Sequence, residues 1–446
     1  MNKAIYILSA MLLSLNLYGQ NVDDSRFYGA TEATAEELES LVSSFEAYAD
    51  SVRAEYERLE RIFNQEHGLF ADEVTRMWGD ETLVESGKKS WVEYSEDRSS
   101  RTTVDFETGE VNVELLSDPG ESEEEIRIRM EASIAALMTS RGKNIEFTSS
   151  VIPRTDLMDE PILQDLIDFS GYEVSEGSSA GAAAPAPVFG GNGAAPSPTV
   201  GQNRNLNLNR KQNTPQTPVS RTPAGESMAQ KRMALSKAVA AAAQPVVIEK
   251  KTETGSKNVV KITMKLVEDH IPKRAERFKT MISRYSEKFS VDQPLIYAII
   301  EQESSFNPAA QSWVPAYGLM QLVPKSGGRD AYRYVHKKDV IPTAEFLFDP
   351  ERNIELGTGY LKLLMSTTFS KVADNDCRML CAIAAYNTGA GNVSRAIIGN
   401  TNISKAIPEI NQMSYQQLFN HLKRHLPHAE TQDYIQKVTD RMQKYK

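Results

Sequence analysis

Cysteine is scarce in this chain: Cys377 and Cys381 are its only two in 446 residues. Two cysteines exclude a disulfide framework, and they do not provide the four ligands of a structural zinc site. They lie four residues apart on a predicted helix, a spacing at which a bridge has poor geometry. We therefore expect both thiols to be free and to pack in the core as small apolar side chains.

Long apolar runs are also lacking. The apolar run that follows Lys3 covers residues 4–15, which is too short for a stable membrane span. A positive start, an apolar middle and the small Gly19 before Gln20 are typical of a secretory signal peptide. We therefore expect residues 1–19 to be removed on export, which places the mature protein in the periplasm.

Positive charge is in deficit, with 50 Lys and Arg against 60 Asp and Glu and a formal net charge of -10. Nucleic-acid binding needs a basic stripe that displaces counterions from phosphate, so we expect no nucleic-acid partner. His421 and His425 lie four apart with His428 beyond them, but the glutamate of a His-Glu-x-x-His motif is missing. We expect no metal and no cofactor.

The first helix is predicted by apolar residues that repeat at spacings of three and four from Leu38 to Phe63. Charged residues lie between them, and Gly68 is a typical helix end. Such an amphipathic helix can dock on the sheet of its own domain or self-associate as a coiled coil, and both uses stay open.

A small sheet follows the helix. Alternation of apolar and polar residues predicts strands at three places: 91–94, 103–106 and 111–115. Gly109 lies in the predicted hairpin turn between the last two strands. Ser122 and Glu125 have the spacing of a capping box that opens a helix extending to Met138. The sequence thus predicts an α+β N-terminal domain over residues 20–174.

Residues 175–244 are rich in Ala, Pro, Gly and Asn, so we expect them to be disordered. The segment can be a tether or a tolerated insertion, and both uses stay open. Apolar and polar residues alternate again from Val260 to Leu266, so residues 245–269 are predicted to contribute a strand to the N-terminal sheet. Residues 270–446 read as helices joined by short loops, which predicts a mainly α domain.

One carboxyl is placed unusually in this helical region. Asp292 is a predicted N-cap and Pro294 lies in the first turn of the helix. The helix then carries four residues on one face: Ile296, Ile299, Ile300 and Glu303. Desolvation on an apolar face raises the pKa of a carboxyl towards that of a general acid. The alternatives are an interior glutamate in a polar network, or a helix rotated so that Glu303 faces water.

Four segments occur in the order of the four motifs of the family 1 lytic transglycosylases and resemble them. The segments are Glu303–Pro308, Gly318–Gln321, Ala385–Gly389 and Glu430–Tyr434. Intervening stretches such as Phe346–Pro350 look most like the membrane-bound lytic murein transglycosylase C branch. The resemblance implies a goose-lysozyme-like fold for the C-terminal domain and peptidoglycan glycan strands as the substrate.

The resemblance also implies roles for individual residues. Glu303 would protonate the oxygen between N-acetylmuramic acid and N-acetylglucosamine, and would then deprotonate the muramyl C6 hydroxyl to give a 1,6-anhydro product. Eight residues would support it by positioning the acid or contacting sugar: Ser304, Gly318, Met320, Gln321, Tyr386, Asn387, Glu430 and Tyr434. On residue type alone, Ser304 is equally a helix-end cap, Met320 a core residue and Glu430 a surface residue.

Several questions stay open at this stage. Hydrolysis would need a second carboxylate, and Glu301 lies on nearly the opposite side of the helix from Glu303. A hydrolytic muramidase and a non-catalytic wall-binding scaffold are the alternative functions. The C branch normally carries a lipid-acceptor cysteine after its signal peptide and this chain does not, which favours a soluble or loosely outer-membrane-associated protein. Cell-wall synthesis or remodelling proteins are the expected partners.

Overall fold

The computed structural model describes residues 61–79, 83–143, 154–171, 223–243, 245–252, 255–312 and 316–446, together with residues 43, 58, 146, 149 and 150. The predicted signal peptide lies outside the described residues. So do most of the helix predicted from Leu38 and residues 175–222 of the low-complexity segment.

The first described helix, α1, covers residues 61–78 and does not end near Gly68 as predicted. Beyond the glycine, Phe70, Val74 and Trp78 are buried at successive helical turns and pack on the sheet. A glycine inside a helix costs about 1 kcal/mol, whereas each large apolar side chain that is buried contributes roughly 1.5–3 kcal/mol. The burial of these side chains therefore stabilises the helix beyond Gly68. Residues 61–78 dock on the sheet of their own domain.

The sheet has five antiparallel strands: β1 (Ser90–Tyr94), β2 (Ser100–Asp105), β3 (Glu110–Ser117), β4 (Val246–Thr252) and β5 (Gly255–Lys265). Their order across the sheet is β1-β2-β3-β5-β4. Strand β5, which follows the low-complexity segment, lies beside β3 with Val113 opposite Ile262. Residues far apart in the chain thus complete one sheet.

Helix α2 (Glu123–Thr139) covers the other face of the sheet from α1. Its start is the predicted capping box: Ser122 Oγ accepts from the Glu125 N–H, and the Glu125 carboxylate accepts from the Ser122 N–H at 3.0 Å. Ile134 and Leu137 pack with Trp91 against the sheet. Helix, sheet and the helical region that follows confirm the predicted α+β plus mainly α fold class.

The prediction of disorder is wrong for the end of the low-complexity segment. Residues Pro223–Ala242 form helix α3, in which Ser236 and Val239 are fully buried. Leu235 and Ala240 are partly buried against the same core as α2. These buried residues form an apolar stripe along one face of α3, which is hard to recognise in the sequence because alanines surround it. The stripe gives the helix enough contact area to dock.

The C-terminal region consists of helices with short connections. They are α4 (His270–Arg277), α5 (Lys279–Phe289), α6 (Gln293–Ser304), α7 (Arg329–His336), α8 (Ala344–Phe348), α9 (Pro350–Leu363), α10 (Asn375–Thr388), α11 (Ala390–Ile398), α12 (Ile403–Ile410), α13 (Tyr415–His425) and α14 (Ala429–Lys444). Short π-helical turns at Pro324–Gly328 and Leu364–Thr368 adjoin α7 and α9. Cys377 and Cys381 are free and buried in α10, as predicted.

The two regions touch along the second half of α4 and the loop after α6. A guanidinium nitrogen of Arg274 donates to the Phe106 carbonyl at 2.7 Å, and Arg277 donates to the Ile162 carbonyl at 2.8 Å. The Asn307 side chain donates to the Ser90 carbonyl at 3.2 Å. The N-terminal sheet is therefore held beside the loop that follows Glu303.

Candidate active site

Glu303 lies in the last turn of α6, on the face that the sequence predicts to be apolar. Ile296, Ile299 and Ile300 are fully buried, and Glu303 is only 6% exposed. Asp292 occupies the N-cap position with extended backbone, although its side chain makes no capping hydrogen bond. The spacing therefore led to the correct buried face.

Burial governs the charge state of this carboxyl. Desolvation raises the pKa of Glu303 above its usual value, and the nearby Glu430 adds to the effect. The Tyr434 hydrogen bond and the ammonium groups of Lys88 and Lys89 act in the opposite direction but do not cancel it. The net effect favours the protonated form, which a general acid needs.

The chain reverses sharply after this helix. Ser305 and Phe306 both have left-handed backbone, with φ of 50° and 59°. Two consecutive residues with side chains rarely adopt this conformation, and such strain is common at functional sites. The reversal keeps Glu303 at the very end of a rigid element and directs the following residues towards the N-terminal sheet.

A second turn, Gly318–Gln321, packs against the end of α6. Gly318 has a φ of 75°, and a Cβ placed on it would lie 2.3 Å from the Leu347 carbonyl oxygen. The buried Asn353 holds the turn: its amide donates to the carbonyl of Leu347 at 2.7 Å, and its oxygen accepts from the Met320 N–H at 2.7 Å. Sequence reasoning assigned no role to Asn353, although it lies in a stretch that shares the family resemblance.

Two predicted site residues fix this turn from other helices. Ser304 Oγ is within 2.8 Å of the Leu319 carbonyl oxygen, to which it donates. The Tyr386 hydroxyl donates to the Met320 carbonyl at 2.8 Å. Burial raises the pKa of Tyr386 well above its ordinary value, and the proximity of Glu303 adds to this, so the phenol stays neutral. Met320 itself is fully buried.

Gln321 follows in the same turn with a φ of 48°. Its amide nitrogen donates to the carbonyls of Ala310 at 2.9 Å and Gly318 at 3.0 Å. Its side-chain oxygen is buried and has no hydrogen-bond partner among the described residues. A buried acceptor without a partner is unusual in a folded protein and is a mark of a candidate binding group.

Helix α14 completes the site. The Tyr434 hydroxyl donates to Glu303 Oε1 at 2.6 Å. One turn earlier, Thr431 Oγ1 donates to the Asn387 side-chain oxygen at 2.6 Å. Glu430 lies at the rim with its side chain 74% exposed, 3.6 Å from the Lys88 ammonium. The structure thus gathers six of the eight predicted supporting residues around or under Glu303, ties Asn387 to α14, and leaves Glu430 at the edge.

A second buried glutamate, Glu301, was not expected to be buried from the sequence. It is 2% exposed and binds three residues at the end of the chain: Arg441 at 3.0 Å, Lys444 at 2.9 Å and Tyr445 at 2.6 Å. Burial raises its pKa, but the hydrogen bonds from Tyr445 and Lys444 and the nearby cations leave the pKa below its usual value. Glu301 is therefore ionised and faces away from the site.

In the part of the chain that the structure describes, no three His, Cys, Asp or Glu side chains are grouped so that they could hold a metal ion. None of the helices described is both long and apolar enough to cross a membrane.

Comparison with known proteins agrees with this geometry. The Transglycosylase SLT domain matches residues 280–407, which contain Glu303 and the turn at Gly318. The N-terminal domain of the membrane-bound lytic murein transglycosylase C matches residues 54–180. The chain belongs to the SLT-domain lytic transglycosylases. This lytic transglycosylase therefore carries the two domains of the C branch, in the same order in which the sheet and the helical region occur here.

Relatives of this lytic transglycosylase match it at modest identity. The membrane-bound lytic murein transglycosylase C of Edwardsiella ictaluri (strain 93-146) is 27% identical over 91% of this chain and 96% of its own length. That of Sodalis glossinidius (strain morsitans) is 39% identical over 43% of this chain and 53% of its own. The solved 70 kDa soluble lytic transglycosylase from Escherichia coli is 26% identical over 40% of this chain and 25% of that one, with a TM-score of 0.29.

Proposed function

We propose that this lytic transglycosylase cleaves the β-1,4 bond between N-acetylmuramic acid and N-acetylglucosamine in peptidoglycan and leaves a 1,6-anhydromuramyl end. The observation that carries the proposal is Glu303: a buried carboxyl with a raised pKa, held by Tyr434 at 2.6 Å. Relatives named murein transglycosylases support the choice of substrate.

Glu303 takes both proton-transfer roles. Its proton passes to the bridging oxygen as the bond to the muramyl C1 breaks, and the N-acetylglucosamine leaves with a hydroxyl group. The muramyl C6 oxygen then bonds to C1, and its proton returns to Glu303. The carboxyl ends the cycle protonated, and no water is consumed.

The arrangement of the other carboxyls favours this route over hydrolysis. A hydrolase normally needs a second carboxylate to activate water or to attack C1. Glu301 is bound to Arg441 and Lys444 on the far side of the helix, and Glu430 lies exposed at the rim. The C6 hydroxyl is part of the substrate, so its high effective concentration at C1 lets it react without an activated water. This disfavours the muramidase alternative.

The burial of Glu303 also disfavours a non-catalytic scaffold. An apolar pocket that raises the pKa of a carboxyl disfavours its ionised form, and a protein that only binds the wall gains nothing from this cost. The polar groups around Glu303 have uses in catalysis. Tyr434 orients the acid, the free oxygen of Gln321 accepts a bond from sugar, and Ser304 and Tyr386 hold the turn that packs against the end of α6.

Localisation and further partners form part of the same proposal. The chain is exported to the cell envelope and works in the periplasm, free or loosely associated with the outer membrane. Its relatives are named membrane-bound, and the apolar run at residues 4–15 has the pattern of an export signal. Self-association through the helix predicted from Leu38 to Phe63, and binding to cell-wall synthesis or remodelling proteins, belong to the proposal as well.

Digestion of purified sacculi in heavy-oxygen water tests the reaction. We expect anhydro-muropeptides that carry no label at the cleaved muramyl carbon, since water does not take part. Glu303→Gln keeps the shape of the side chain and removes the transferable proton, so the folded variant is expected to give no product. Labelled reducing ends from the wild type would indicate hydrolysis, and near-normal turnover by Glu303→Gln would exclude Glu303 as the acid.

A further inference from the structure

The loop that precedes β1, residues 83–89, brings the N-terminal domain to the edge of the candidate active site. The Gln311 N–H donates to the Gly87 carbonyl at 3.4 Å, and the Asn307 side chain donates to the Ser90 carbonyl at 3.2 Å. Both partners on the catalytic side follow Glu303 by only a few residues. The loop is therefore adjacent to the acid, although it belongs to another domain.

The loop is held in place by its own hydrogen bonds. The Gly87 N–H donates to Ser90 Oγ at 3.0 Å, and the Val92 N–H donates to Ser86 Oγ at 3.0 Å. The Tyr94 hydroxyl donates to the Val84 carbonyl at 3.1 Å and accepts from the Val84 N–H at 3.0 Å. A loop anchored at three points presents its side chains from a defined position.

Two lysines on this loop differ in their availability. The Lys89 ammonium lies 2.5 Å from Glu107, and its side chain is only 20% exposed. The Lys88 ammonium lies 3.6 Å from Glu430, and these side chains are 40% and 74% exposed. An exposed ion pair of this kind is weak, so another carboxylate can replace Glu430 at little cost.

Lys88 is also close to the reacting groups. Glu430 and Tyr434 lie one turn apart on α14, a distance of about 5–6 Å, and Tyr434 binds Glu303 directly. The Lys88 ammonium is near enough that it lowers the pKa of Glu303 against the larger effect of burial. Lys88 therefore lies at the rim of the site, close to the place where a strand with its scissile bond at Glu303 would lie.

We infer that Lys88 binds a free carboxylate on the peptide stem of the peptidoglycan strand, so that the N-terminal domain reads the stem while the catalytic domain cleaves the glycan. This inference rests on the proposed function. The N-acetylated sugar rings of a stem-bearing strand are neutral, so its carboxylates lie on the peptides. When Lys88 turns to a stem carboxylate, Glu430 is released and can accept a hydrogen bond from a sugar N–H or hydroxyl group.

The test uses two peptidoglycan substrates of equal length, one with free carboxylates on its peptide stems and one with fully amidated stems. The two substrates differ only in the charge of the stem. The readout is the ratio of kcat/KM on the two substrates, measured as release of anhydro products. We expect wild type to favour the carboxylate stems roughly fivefold, as an exposed ion pair would give, and Lys88→Met to bring the ratio to about 1. The wild-type preference should also weaken as salt is raised.

Lys89→Met is the matched control, because it removes the same charge from the next position on the loop. Its ammonium is engaged by Glu107, so the variant should keep the preference for carboxylate stems. Equal ratios in wild type and Lys88→Met, or loss of the preference in Lys89→Met as well, would overturn the inference. Absence of anhydro product from wild type on both substrates would instead defeat the proposed function.

Discussion

Tyr434 and Glu303 are joined by a 2.6 Å hydrogen bond although 131 residues separate them in the chain. The bond connects the last helix to the end of α6, and both partners are buried. Burial raises the pKa of Tyr434 well above its ordinary value, and the nearby Glu303 carboxyl adds to this, so the phenol remains a neutral donor at working pH. This geometry supports the proposal that Tyr434 orients the acid and stabilises its ionised form.

Tyr434→Phe should lower kcat roughly tenfold, because the acid loses the bond that orients it. The high-pH limb of the kcat/KM profile, which reports loss of the proton from Glu303, should move to higher pH since only the carboxylate-stabilising bond is removed. Tyr445→Phe is the matched control, because it removes a 2.6 Å bond to Glu301 instead. An unmoved limb in Tyr434→Phe, or the same shift in Tyr445→Phe, would contradict this role.

Glu301→Gln should lower the free energy of unfolding by about 2–3 kcal/mol, because it leaves the buried part of Arg441 without its carboxylate. Urea denaturation at neutral pH measures the loss. Glu276→Gln is a suitable control, since its pair with Lys279 is exposed and should contribute less than about 0.5 kcal/mol.

The stabilising effect of the Glu301 carboxylate should also depend on pH, which urea denaturation at a series of acidic pH values measures. The pKa of Glu301 is lowered in the folded protein, so its contribution is complete above its unfolded pKa of about 4.3 and is lost as pH falls through the folded value. The stability gap between wild type and Glu301→Gln should therefore close on acidification. A gap that widens as pH falls would be the wrong sign for an ionised Glu301.

Gly318→Ala should destabilise the protein by more than about 3 kcal/mol and abolish most activity. The added Cβ is strained at a φ of 75° and meets the Leu347 carbonyl oxygen at 2.3 Å. Gly399→Ala shares the φ of 75° but meets nothing within 4 Å, so it should cost only the strain of about 1–2 kcal/mol. Equal losses of unfolding free energy in the two variants would show that the clash is relieved.

Val239→Ala tests whether α3 is part of the fold. Val239 is fully buried against the core that contains α2, so its truncation should cost about 2 kcal/mol of unfolding free energy. Met233→Ala, 67% exposed on the same helix, should change stability by less than about 0.5 kcal/mol. Two near-zero values would mean that residues 223–242 do not dock in solution.

Local features followed from the sequence alone. Examples are strands β1 to β3, the capping box at Ser122 and the buried face of α6. Each depends on a period or a spacing within a few residues, which can be read directly from the sequence. The order of four short motifs was likewise sufficient to indicate the family. The end of α1 was predicted wrongly, because burial against the sheet outweighed the cost of a glycine inside the helix. The docking of α3 was not predicted, because its buried side chains lie in an alanine-rich segment that looked disordered.

Only the tertiary structure decided which residues meet. Several contacts join distant parts of the chain. Tyr434 binds Glu303, and Arg441 and Lys444 bind Glu301. Asn353 binds the turn at Met320, and Lys88 lies close to Glu430. Sequence determined that a carboxyl would lie on an apolar face. Folding determined its neighbours, and through them its charge state, because desolvation and hydrogen bonding act through distances in space that spacing along the chain does not specify.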